Sequence, residues 1–160
     1  MSNLVYGFFE TKELIDKNQY FKLIEEKTNL GVYEIRPFQL KNFPDHLFYD
    51  FNEKCVFFGI SDLPGKSRAT YLIDFIDYAP NSKTGFPYKA KDRLNIFINS
   101  LFTMIEVANA IRFVVAITDS CEIEETKSVN LSCLKKVISN DFDEYDDPPG
   151  KIYNIQIMKY

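Results

Sequence analysis

At 160 residues the chain has room for one domain. A chain of this length buries roughly 70% of the surface its unfolded form exposes, so stability requires neither disulfides nor a metal. The formal net charge of −4 is unevenly spread: between Asp119 and Pro149 nine acids face only Lys127, Lys135 and Lys136, giving −6, whereas the remainder carries 14 acids and 16 bases, or +2. A near-neutral body with an acidic C-terminal third argues against direct nucleic-acid binding, which needs clustered Lys and Arg, and is compatible with a cationic protein partner.

Fifteen Phe and ten Tyr with no Trp make the chain aromatic-rich. More rings are present than the core obviously needs, so some tyrosines are expected at the surface, where they suit interfaces. Cys55, Cys121 and Cys133 are odd in number and widely spaced. The start, Met1-Ser2-Asn3-Leu4-Val5, lacks a basic region followed by an apolar one, and no apolar run approaches the ~18 residues that span a bilayer. The expected setting is the reducing cytoplasm, with no membrane contact.

Leu4 to Phe9 reads as a first strand. Thr11 can then cap a helix with Glu13 in its first turn, its apolar face made of Leu14, Tyr20, Phe21, Leu23 and Ile24, and Asn29-Leu30-Gly31 as its stop. Gly31 to Arg36 is a predicted strand closed by Pro37. Phe38 to Phe51, broken by Pro44, reads as loop with at most one short helix. Cys55 to Ile60 and Ala69 to Tyr78 are β-rich runs joined by a turn at Pro64-Gly65, and Pro80 to Pro87 is a connector.

The clearest helix follows. Leu94, Phe97, Ile98, Leu101, Phe102, Ile105 and Ala108 form one stripe at helical spacing. Phe113 to Ile117 is short and continuously apolar, as expected of a strand covered on both faces. Ser128 or Asn130 can cap a short helix through Leu131, Leu134 and Ile138 that stops near Asn140, and Tyr153, Ile155 and Ile157 alternate with polar residues in a closing strand. Strands and helices are interspersed without a strict βαβ rhythm. The expected fold is a single α+β domain over residues 1–160, with a mixed sheet of about six strands and three or so helices packed against it.

Motifs of chemistry are few. Gly59-Ile60-Ser61-Asp62-Leu63-Pro64-Gly65-Lys66-Ser67 resembles a phosphate loop, but five residues separate its glycines where four are needed, and Pro64 lacks an amide hydrogen. A strand-connecting turn is the better reading. His46, next to Asp45, could pair with a thiol such as Cys55 or with a carboxylate. A lone histidine is more often a satisfied polar residue, so a small enzyme built on His46 is kept only as the alternative, beside an adaptor domain. Asp141 and Asp143 have the first two ligand spacings of an EF-hand loop, yet the sixth position is Asp146 and the twelfth Ile152, so no metal or other cofactor is expected.

Protein recognition fits better. Asp141, Asp143, Glu144, Asp146 and Asp147 lie within seven positions, with Phe142 and Tyr145 among them, and Pro148-Pro149-Gly150 stiffens the exit. A loop held at both ends loses less entropy on binding. The ending, Ile138-Ser139-Asn140-Asp141-Phe142 with Pro148-Pro149-Gly150-Lys151-Ile152-Tyr153, is similar to some bacterial toxin-immunity proteins, including inhibitors paired with contact-dependent growth-inhibition toxins. The resemblance covers about the last quarter of the chain. It implies a non-enzymatic inhibitor that binds one cognate toxin domain, often a nuclease, and occludes its basic cleft. In that reading the carboxylates replace phosphates, with Phe142 and Tyr145 as anchors.

Overall fold

The computed structural model of the chain describes residues 4–40, 42–47, 51–61, 90–118, 123–145 and 150–157. It is an α+β fold built on a six-stranded mixed sheet. The strands are β1 (Leu4–Thr11), β2 (Gly31–Glu34), β3 (Cys55–Ser61), β4 (Ala110–Thr118), β5 (Glu125–Asn130) and β6 (Lys151–Gln156), in the order β2-β3-β1-β4-β6-β5. All neighbours are antiparallel except β5 and β6, which run parallel. Three helices, α1 (Lys17–Thr28), α2 (Ala90–Ala108) and α3 (Leu134–Tyr145), lie on one face.

Alternation along the strands assigns the two faces. Val5 and Phe9 of β1, Val56, Phe58 and Ile60 of β3, Phe113, Val115 and Ile117 of β4, and Tyr153 and Ile155 of β6 point toward the helices. There they meet Tyr20, Phe21 and Ile24 of α1, the predicted stripe of α2, and Leu134, Ile138 and Phe142 of α3. Phe9 and Phe113 stack at 5.8 Å, with Phe58 5.1 Å from Phe113. Tyr20 donates its hydroxyl to the Met104 carbonyl at 2.9 Å and so ties α1 to α2.

The opposite face carries Tyr6, Phe8, Phe57, Val114, Ala116 and Ile152, and is covered by Ile35, Leu40, Phe43, Leu47 and Phe51. That cover contains two 3-10 turns, Pro37–Leu40 and Asp45–Leu47, where at most one short helix was expected. Arg112 of β4 locks it down by donating to the Leu47 carbonyl at 2.9 Å while its guanidinium lies 5.1 Å from the Phe8 ring centroid.

Other boundaries shift for local reasons. β1 runs on to Thr11, whose hydroxyl donates to the Glu13 carbonyl, so Thr11 ends a strand instead of capping a helix. The cap of α1 is Asp16, which accepts from the Gln19 amide at 3.1 Å, and Asn29 closes the helix in the left-handed conformation (φ 58°). Leu14 and Leu23, expected on the buried face, are exposed. β5 was not anticipated at all, and the β-rich run Ala69–Tyr78, the turn at Pro64-Gly65 and the connector Pro80–Pro87 lie outside the described residues.

Candidate binding surface

The acidic C-terminal segment begins inside a helix. α3 continues through Tyr145, five residues past the expected stop at Asn140. Leu134, Ile138 and Phe142 recur at every fourth position and Asp141 lies seven after Leu134, so all four fall on the core-facing stripe. Phe142 is fully buried and Asp141 only 3% exposed. Both were expected at a partner surface, and both are instead committed to the interior. Asp143, Glu144 and Tyr145 occupy the last turn of α3, and Asp146 and Asp147 lie outside the described residues.

Asp141 is the hub of a buried polar network. β5 and β6 pair in register as Glu125 with Lys151, Lys127 with Tyr153 and Val129 with Ile155, which puts all six side chains on the helix-bearing face. α3 lowers the Asp141 carboxylate onto this ladder. Lys127 Nζ donates to Oδ1 at 2.8 Å, Tyr153 donates its hydroxyl to Oδ2 at 2.8 Å, and Lys151 Nζ reaches Oδ1 at 3.4 Å and Glu125 Oε2 at 3.3 Å. The lysines differ in their access to water: the Lys151 side chain is 5% exposed and that of Lys127 29%.

Burial alone would push the Asp141 carboxyl up. The hydrogen bonds from Lys127 and Tyr153 and the charges of Lys127 and Lys151 outweigh it and hold the group below the ordinary carboxylate value. Burial likewise works against the Lys151 ammonium, and the bond to Glu125 with the Asp141 charge outweighs it and raises the group. Asp141 is therefore a carboxylate already answered by two ammonium groups and a hydroxyl, which leaves it poorly suited to a metal or a partner.

The network also joins the two flanks of the acidic segment, since Asp141 stands before it and Lys151 and Tyr153 after it. Gly150 makes the re-entry in a left-handed conformation (φ 62°), and its carbonyl accepts from the Glu124 amide at 2.8 Å.

The alternative candidates separate. His46 is exposed on the Asp45–Leu47 turn, whereas Cys55 is buried at the start of β3, which works against a thiol–imidazole pair. Gly59 to Ser61 of the phosphate-loop-like stretch belong to β3, and its remaining residues lie outside the described ones. Two adjoining hollows of about 390 and 350 Å³ share Phe102 and Leu131 as walls and lie by Gln156 and Ile157, at the far end of β6 from the acidic segment. Tyr6, Tyr20 and Tyr153 are buried and Tyr33 half-buried; among the described residues the exposed aromatic ring is Phe38, at 68%. No described helix is long and apolar enough to cross a membrane.

Compared with protein-family models, with curated proteins and with solved structures, the chain matches none.

Proposed function

We propose that this chain is an inhibitor of the immunity-protein kind, which binds a cationic protein domain and covers its basic cleft with the acidic segment after Asp141. The contact set is Asp143, Glu144, Tyr145, Asp146 and Asp147. Asp141 and Phe142 leave that set and become the residues that hold it. The partner class is a toxin domain whose substrate is polyanionic, a nuclease above all, because a row of carboxylates then stands where phosphates would bind.

The observation that carries the reading is the link between the flanks. Asp141 on one side is bonded to Lys151 and Tyr153 on the other, and the Gly150 carbonyl is held by Glu124. A charged segment anchored this way loses less freedom on binding, and its charge steers a basic partner in. Lys127 and Lys151, which could have neutralised the segment, are engaged with Asp141 and Glu125.

The test is a capture experiment with the immobilised chain in native lysate, at low and at physiological salt. It compares the native sequence with a variant in which Asp143, Glu144, Asp146 and Asp147 are all Ser. A basic protein retained by the native chain should associate with the variant at least tenfold more slowly, with a flatter salt dependence. Equal retention and equal rates would make the segment bystander surface and move the search to the exposed Phe38.

A further inference from the structure

We infer that β5 is a releasable edge strand, latched to the sheet by the Asp141 carboxylate. This is a property of the free chain and stands whether or not the acidic segment binds a partner.

β5 is an edge strand whose described pairing is with β6 alone, in the parallel geometry that is slightly weaker per residue. Of its six residues, Glu125 to Asn130, it buries only Val129. Apolar packing therefore holds it weakly, in contrast to β4, where six consecutive residues from Phe113 to Thr118 are buried. Its polar anchors converge on one group. Lys127 binds Asp141 directly, and Glu125 binds Lys151, which binds Asp141 in turn.

Asp141 is what allows two ammonium groups to share the space above the ladder. Without its charge Lys127 loses the carboxylate it binds and faces the Lys151 ammonium across the site. The two lysines then respond differently. Lys151, buried and on a strand paired on both sides, has nowhere to go. Lys127 already shows more than a quarter of its side chain to water and sits on the edge. Charge loss at Asp141 accordingly expels Lys127, and β5 leaves with it while β6 stays paired to β4. The end of α3 stays docked through Phe142, which is fully buried in the core.

Hydrogen exchange of the full chain, resolved by residue, tests this in Asp141→Asn, Lys127→Met and Lys127→Arg. In Lys127→Met the amides of Glu125–Asn130 should exchange at least tenfold faster than in the native chain, while those of β1 and β4 keep their native rates. Lys127→Arg, which keeps the charge, should restore most of the protection. Asp141→Asn should show the same pattern more strongly; if it fails to fold, Lys127→Met decides. Native rates in β5 of a folded Lys127→Met chain, or equal acceleration of β5 and β1, would overturn the latch.

Discussion

Two glycines show how differently neighbouring positions tolerate one added carbon. A Cβ on Gly7, in the central strand β1, would overlap the Val114 carbonyl oxygen and press on the Val115 Cα, both backbone atoms of β4. Backbone in a sheet paired on both sides cannot yield. A Cβ on Gly59 would instead meet the ring of Tyr33, its cross-strand partner on the edge strand β2. That ring covers the glycine and can rotate away. Gly7→Ala should cost about 3 kcal/mol, the upper end for overpacking, and Gly59→Ala about 1 kcal/mol. Urea denaturation of the two variants checks the order, and equal costs would mean that the β1–β4 spacing is adjustable. Asp141 carries the complementary lesson. Helical spacing from Leu134 and Ile138 turns it inward, but nothing nearby names its partners, which are 14, 10 and 12 positions away in the chain.

The helices divide by how local their signals are. α2 is read directly from its stripe, because a period of 3.6 sustained from Leu94 to Ala108 has no competing explanation. The end of α3 is harder. Leu134, Ile138 and Phe142 do carry the spacing past Asn140, and that signal was available. Against it stood three carboxylates, Asp141, Asp143 and Glu144, near a helix C-terminus, where the dipole disfavours negative charge. Tertiary pairing of Asp141 with two lysines offsets part of that cost. If Phe142 is core as described, Phe142→Ala should lose about 3–5 kcal/mol in denaturation with near-native circular dichroism. A loss under about 1 kcal/mol would return Phe142 to the surface. β5 was not legible because Glu-Thr-Lys-Ser-Val-Asn holds one apolar residue and no alternation of burial. It is a strand only because the edge of β6 supplies its hydrogen bonds and its register.

For the molecule as a whole the buried charges set a stability window. The Asp141 carboxyl lies below its ordinary value, so its contribution is present above the unfolded carboxylate range and is lost as pH falls through the folded value. The Lys151 ammonium lies above its ordinary 10.5, so its contribution is complete below that value and is lost as pH rises through the folded one. Tyr20, raised by burial, destabilises the fold on the same alkaline side, since the unfolded chain releases that proton first. Unfolding free energy from urea titrations should therefore be flat between about pH 5 and 8 and fall on both sides. In Asp141→Asn the acid limb should be shallower than in the native chain, although the plateau is lower by about 3–5 kcal/mol, the usual loss when one partner of a buried pair is removed. An unchanged acid slope would assign that limb to other carboxylates.

The class of fold, the three helices and most strands follow from the residue order because they rest on periodicities and caps that act within a few positions. The same holds for the concentration of negative charge before the last strand. Tertiary structure alone decided that Lys127, Lys151 and Tyr153 receive the Asp141 carboxylate. It also made residues 125–130 a strand. The reason is physical: a salt link between α3 and two strands exists only once β5 and β6 stand in register, and register depends on the whole sheet.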